Sequence, residues 1–325
     1  MPLLALFTLQ TGPLTSPPTA TVSAAPHISR FWLAVFPLYP AVEAEKGIKA
    51  SGNLSISGGT FVIDSADDAL HSNSDISITD GTYEIATGDD GVHADSAVEI
   101  SGGTMNITQS YEGIEGLTVT ITGGEISVVS SDDGMNAAGG TDSSGTGFRG
   151  DSFAADADAS ISISGGIITI DAEGDGIDSN GSLIVGGLIV AFGPTGMAQN
   201  FGNSSTQGSI MVSLSGTAGD TVTLTDANGA QLVSCQSKKA FSSVLISCPD
   251  LVQGESYTLT SGESSTQITL DSLIYGESGG LGGGFGGGRG GMAPGGTAPD
   301  GMTPGETPPD GTMPGEKSGG QRQSA

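Results

Sequence analysis

Between residues 43 and 193 apolar and polar residues alternate in short runs, such as Leu54-Ser55-Ile56 and Val119-Thr120-Ile121. A period of two predicts strands with one buried face. The runs recur in ladders. An Ile-x-Gly-Gly turn starts at Ile56, Ile100, Ile121, Ile163 and Ile184, and Ile78-Thr79-Asp80-Gly81 is a variant of it. The strand after each turn puts Ile63, Ile85, Ile107, Val128 and Ile170 in one column, with steps of 22, 22, 21 and 42 residues. A fixed period of this kind marks a repeat architecture.

About 22 residues is too short for an ordinary strand-helix repeat and suits three short strands with three turns. One such repeat cannot bury its apolar face alone, so successive repeats stack. The expected fold is all-β: a parallel β-helix with coils about 4.8 Å apart, Ile and Val columns inside, and the other corner residues pointing outward. Gly at the turns supplies the positive φ that a β-carbon resists.

A third ladder carries the candidate chemistry. Gly88-Asp89-Asp90-Gly91-Val92-His93 is preceded by Ala66-Asp67-Asp68-Ala69-Leu70-His71. It is followed by Ser110-Tyr111-Glu112-Gly113-Ile114-Glu115, Ser131-Asp132-Asp133-Gly134-Met135-Asn136 and Glu173-Gly174-Asp175-Gly176-Ile177-Asp178. A weaker copy is Lys46-Gly47-Ile48-Lys49. The 42-residue step places Thr141–Ala159 as a loop insert at an acidic corner; a degenerate extra coil is the alternative, since the excess is close to one period. Arg149-Gly150-Asp151 within it reads as solvated loop, with an adhesive role as the alternative.

The flanks differ. Residues 1–42 are atypical: Leu3–Leu9 lacks the basic flank of an export signal, and Pro37 and Pro40 break the apolar stretch before Val42, which is too short to span a bilayer. Two readings stand: a truncated or misassigned start, with more coils and an export signal upstream in a longer chain, or a loosely packed cap. Residues 194–207 read as a linker, and 208–275 as a small antiparallel β module with Asn228-Gly229 as a hairpin signal. Cys235 and Cys248 are either a cross-strand disulfide or two buried thiols. Residues 276–325 form a Gly/Pro-rich tail without a Gly-X-Y period, expected to be disordered.

Composition narrows the function. Acids outnumber bases 36 to 9, for a formal charge of -27. That argues against nucleic acid and anionic membranes as partners and for the uptake of cations. Stacking puts Asp68, Asp90, Glu112, Asp133 and Asp175 in one column, with Asp67, Asp89 and Asp132 beside it. Carboxylates one coil apart repel by about 3.5 kcal/mol per pair at an effective dielectric of about 20. A divalent cation reverses that sign. Calcium takes six to eight oxygens in flexible geometry, and Glu115, Asn136 and Asp178 add donors. The plain alternative is a solvated acidic edge. His71 and His93 share one ladder place with Lys49, so they are either outward polar stackers or ligands of a transition metal. No Gly-x-Ser-x-Gly elbow, phosphate loop or Cys-x-x-Cys occurs.

The corners, from Lys46-Gly47-Ile48-Lys49-Ala50 through Asp67-Asp68-Ala69-Leu70-His71-Ser72-Asn73 to Gly174-Asp175-Gly176-Ile177-Asp178-Ser179-Asn180-Gly181, resemble those of a bacterial family of secreted carbohydrate-binding domain-containing proteins. The resemblance covers about residues 43–262. It implies a right-handed parallel β-helix, similar in fold to calcium-dependent pectate lyases. It also implies calcium at acidic corners and acidic, pectin-type polysaccharide as partner. Two departures are that upstream coils of such proteins are missing and that 187–208 is short by about one coil.

The expectation is therefore a secreted, monomeric, non-catalytic polysaccharide binder. Its calcium ligands are drawn from Asp67, Asp68, Asp89, Asp90, Glu112, Glu115, Asp132, Asp133, Asn136, Asp175 and Asp178, and its glycan contacts from Lys49, His71, His93 and Tyr111. Tyr83 and Tyr111 are the aromatics in the coils suited to sugar stacking. One alternative is a calcium-dependent lyase with Lys49 as base. Another is a structural surface protein stiffened by calcium.

Overall fold

The computed structural model describes residues 20–22, 46–137, 158–179, 182–196 and 198–276. Among them every regular element is a β-strand. Three parallel sheets build a β-solenoid of about six turns with about 22 residues per coil.

The first sheet stacks Ile48–Ala50, Leu70–Ser72, Val92 to Ala94, Ile114 to Gly116 and Met135–Ala137, with Ile48, Leu70, Val92, Ile114 and Met135 in register. The second stacks the strands around Ile56, Ile78, Ile100, Ile121 and Ile163. The third aligns Ile63, Ile85, Ile107, Val128 and Ile170. These are the predicted columns, and nearly all of these side chains are buried. Burying each such side chain stabilises by about 1.5–3 kcal/mol. The Gly-Gly turns also follow expectation: Gly103 and Gly124 adopt φ of +94° and +99°. A β-carbon at Gly103 would also lie 2.8 Å from the Gly81 carbonyl oxygen.

Across the long step no extra coil separates the described strands. Met135–Ala137 lies between the strands of Ile114 and Asp178, and Ile161 to Ile163 pairs directly with Val119 to Ile121. Residues 138–157, which include Arg149-Gly150-Asp151, lie outside the described residues. So do all of 1–42 except Ala20–Val22 and all of the tail after Gly276. Ala20–Val22 adds a parallel strand beside Leu54 to Ile56, at the open edge of the second sheet.

The far end is closed by the C-terminal part. Within the stretch expected to be a linker, Gly202 N donates to the Leu183 carbonyl at 2.8 Å, and Ala198 and Phe201 enter the core. Strand Phe241–Ser247 then pairs antiparallel with Leu188–Gly193, and Ser209–Gly216 pairs with its other edge. The antiparallel module thus continues the third solenoid sheet. This explains the unbroken apolar run from Leu188 to Phe192. Ile189 and Ala191 face the solenoid core, while Val190 and Phe192 face a second core, as expected for a strand covered on both sides.

A separate four-stranded antiparallel sheet orders Gln231–Gln236, Thr221–Asp226, Ser256–Ser261 and Ser264–Thr269. The Asn228-Gly229 turn joins its first two strands, with Gly229 at φ +80°. Both thiols are free, which corrects the disulfide alternative. Cys235 lies in this sheet and Cys248 follows the strand that extends the solenoid, so they do not face each other across a strand pair.

Candidate functional site

The acidic corners stack as a continuous column. At each corner the residue after the column position, Lys46 at the first and an acid at the others, donates its N–H to the carbonyl of the next acid: Gly47 to Asp68, Ala69 to Asp90, Gly91 to Glu112, Gly113 to Asp133 and Gly134 to Asp175, all at 2.8–3.0 Å. These bonds place Lys46, Asp68, Asp90, Glu112, Asp133 and Asp175 one above another.

The column is not a solvated edge, and its side chains do not point into water as the sequence suggested. Asp68, Asp90, Glu112, Asp133 and Asp175 are each no more than 6 % exposed, and Asp67 and Asp89 beside them are also buried. The carboxylates turn along the column because the turn amides are there to be bonded. Asp68 Oδ1 accepts from Asp90 N at 3.2 Å, Asp90 Oδ1 from Glu112 N at 3.1 Å, and Asp133 Oδ1 from Asp175 N at 2.6 Å. Buried amides need such partners.

The charge these acids bring is balanced unevenly. At the first corner Lys46 Nζ lies 3.2 Å from Asp67 Oδ1 and 2.5 Å from Asp68 Oδ2. His71 Nδ1 is 2.7 Å from the same Asp68 oxygen. Burial alone would raise the Asp68 pKa, but His71 and Lys46 together hold it below the usual carboxylate range. The role of Lys46 escaped the sequence reading, although it stands 22 residues before Asp68 and so in the same column.

The second corner relies on a histidine. His93 Nδ1 lies 2.6 Å from Glu115 Oε2 and 3.2 Å from Asp90 Oδ2, and its Nε2 lies 3.4 Å from Asp95 Oδ1. Burial disfavours the imidazolium, but Asp90 and Glu115 outweigh it and push the His93 pKa up to about 11. His71 and His93 stack with ring centroids 5.1 Å apart. Both are buried, which corrects their reading as outward stackers. Lys49 continues their column in register and is exposed.

Beyond His93 no basic side chain meets the column among the described residues. Burial, with Glu115 and Asp90 nearby, raises the Glu112 pKa well above the usual range. Asn136 Nδ2 donates to Glu112 Oε1 at 3.0 Å, yet the buried Glu112 Oε2 and Asn136 Oδ1 have no hydrogen-bond partner. Burial, with Asp132 and Asp175, raises Asp133 to about 8. A β-carbon at Gly174 would lie 2.4 Å from Asp133 Oδ1 and 2.5 Å from Asp132 Oδ1, so those two carboxylates converge over a bare glycine.

Two clusters bring carboxylate and imidazole atoms within 4.8 Å of one another: Asp67 with Asp68 and Asp89, and Asp90 with His93 and Glu115. The first already faces an ammonium. Between Asp90 and Asp133 the donors are mostly oxygens, two of them buried and unpartnered, which is the donor chemistry a hard cation such as calcium takes. Asp178 lies lower in the same register, beside Asn136, and accepts from the Gln199 amide.

The aromatics separate. Tyr83 is buried and stacks on Phe61 at 5.0 Å, so it is core and does not meet sugar. Tyr111 is half-buried and lines a cleft of about 330 Å³ on the solenoid flank.

Residues 38–91 match a family described as "Carbohydrate-binding domain-containing protein". The matched stretch contains Lys46 and the corners at Asp67-Asp68 and Asp89-Asp90. No curated protein and no solved structure matches the chain.

Proposed function

We propose that this chain binds carbohydrate without transforming it, and that calcium held in the acidic column serves that binding. The carbohydrate reading is carried by the family match, which falls on the first two acidic corners. The calcium reading is supported by the buried, unpartnered Glu112 Oε2 and Asn136 Oδ1. Glu112, Asn136, Asp90, Glu115 and Asp133 are the residues that would hold the ion. Bound there, calcium would neutralise the column and offer an open coordination position to a sugar carboxylate. A chain of charge -27 that binds an acidic, pectin-type polymer needs such bridging cations. This reading puts the protein outside the cell, where it meets the polymer.

The test is retention of the full chain on immobilised polygalacturonate and neutral cell-wall glycans, with calcium and with EDTA. Retention on an acidic glycan in calcium is expected; a chain that holds no glycan in calcium contradicts the reading. A lyase remains the second reading because Lys49 is exposed beside the histidine stack. Unsaturated product that forms steadily from polygalacturonate, and is lost in Lys49→Ala, would decide for it.

A further inference from the structure

Lys238 and Lys239 occupy an unusual place. Together with Lys46 and Lys49 they are all the Lys and Arg residues among the described ones. Lys46 is committed to the acidic column. Lys238 and Lys239 sit at the tip between the strands Gln231–Gln236 and Phe241–Ser247, and they reach back across the solenoid flank. Asp171 holds this tip. Its buried Oδ1 accepts from Lys238 N at 2.7 Å and from Lys239 N at 3.4 Å. Lys238 Nζ donates to Ser127 Oγ at 2.8 Å, and Lys239 Nζ donates to the Ser130 carbonyl at 2.5 Å. The Lys239 ammonium is therefore fixed in position before any ligand arrives, which lowers the ordering cost of binding.

That ammonium lines the cleft of about 330 Å³ together with Tyr111, Gln109, Thr108 and Ser131. The volume lies in the usual range for small-ligand sites, roughly 300–1,000 Å³. The lining mixes an aromatic ring, a side-chain amide, hydroxyls and one cation. Thr108 Oγ1 and Ser131 Oγ each donate to a backbone carbonyl, at 2.8 and 3.1 Å. Their lone pairs are left as acceptors for sugar hydroxyls. The ammonium also holds a carboxylate of the chain itself. Glu173 Oε1 is 3.0 Å from Lys239 Nζ, and the Glu173 side chain is 65 % exposed. An exposed ion pair of this kind contributes little, about 0–1 kcal/mol. An incoming carboxylate can take its place at small cost.

We propose that this cleft is a second sugar subsite, which takes a carboxylated sugar residue directly and without a metal ion. Lys239 binds the carboxylate in place of Glu173, Tyr111 supplies an apolar wall, and Gln109, Thr108 and Ser131 meet the hydroxyls. The subsite rests on the carbohydrate reading above but not on its calcium part. It spans the flank of three successive coils, at 87–88, 108–111 and 129–131, next to the acidic column and distinct from it.

The test is calorimetry of the full chain in EDTA. The probes are oligosaccharides of galacturonate, glucuronate, mannuronate and guluronate, each beside its carboxyl-reduced neutral counterpart. Binding of at least one acidic member is expected, with its neutral counterpart at least about tenfold weaker, as the loss of a charge-assisted bond implies. Lys239→Met should weaken that binding by about tenfold or more, and Tyr111→Ala should weaken it as well. Glu173→Gln should strengthen it, which a merely structural role for Lys239 would not produce. Circular dichroism melts of each variant separate lost binding from lost fold. Failure of every acidic probe in EDTA, or indifference of bound probe to Lys239→Met and Glu173→Gln, overturns the subsite. Binding that appears only with calcium and ignores Lys239 overturns it while the carbohydrate reading stands; no binding with or without calcium removes both.

Discussion

The top and the middle of the acidic column are built from the same repeat and solve the same charge problem differently. At the top, Lys46 stands where an acid would continue the column and touches Asp67 and Asp68. In the middle, Asp90, Glu112 and Asp133 are equally buried but are left to His93 and to turn amides, and burial holds their pKa values above the usual carboxylate range. The residue that follows the acid also differs. Ala69 fits its β-carbon at the top corner, whereas one at Gly113 would lie 2.3 Å from the Gly134 carbonyl oxygen and 2.3 Å from Val128. One corner carries its own cation. The middle leaves two buried oxygens, Glu112 Oε2 and Asn136 Oδ1, without a hydrogen bond.

The largest effect should come from making the top resemble the middle. Lys46→Met leaves Asp67 and Asp68 buried without their ammonium, which costs about 3–5 kcal/mol. Chemical denaturation in EDTA should show that loss, and added calcium should recover part of it, because Asp67, Asp68 and Asp89 then form an all-oxygen cluster. A loss that calcium does not touch would mean that the top corner cannot behave like the middle one.

Adding a β-carbon is next in size. Gly113→Ala should cost about 1–3 kcal/mol through overpacking against backbone. The reverse change, Ala69→Gly, should cost only about 0.5–1 kcal/mol through chain entropy. Equal costs would erase the structural half of the comparison.

Acidity should separate the regions by a smaller margin. The Asp133 pKa rises from 3.8 to about 8 on folding, so the folded chain binds a proton there that the unfolded chain has lost. Its contribution is full below pH 3.8 and is lost as pH rises to about 8. His93 acts in the same direction, with stability full below pH 6.5 and lost as pH rises to about 11. In EDTA the melting temperature should therefore fall by several degrees between pH 5 and pH 9. Calcium should flatten that fall, since it favours the ionised carboxylates. The Asp68 pKa is lowered, so this corner loses stability on acidification instead.

The fold was legible because three independent ladders shared one period, and stacking leaves such a chain few other ways to bury its apolar face. The resumption of the stack after the long step was legible for the same reason, since Ile163 and Ile170 rejoin both columns. The direction of the corner side chains was not. Period two governs strands, but a corner residue turns toward whichever amides need an acceptor, as Asp68 and Asp90 do. Tyr83 could have been placed correctly from the sequence: it stands two residues before Ile85, and alternation puts both inside. Lys46 was equally visible by its 22-residue offset from Asp68. Lys239 was not visible, because its place depends on an antiparallel pairing with Leu188–Gly193, far away in sequence.

On the proposed reading the middle of the column takes a cation which the top does not need. The most direct test is a calcium titration of the full chain by calorimetry, beside Glu112→Gln and Lys46→Met. Saturable binding to the unaltered chain, at least about tenfold weaker in Glu112→Gln and gaining a further site in Lys46→Met, is the predicted result. No heat in the unaltered chain, or binding unchanged in Glu112→Gln, would contradict it.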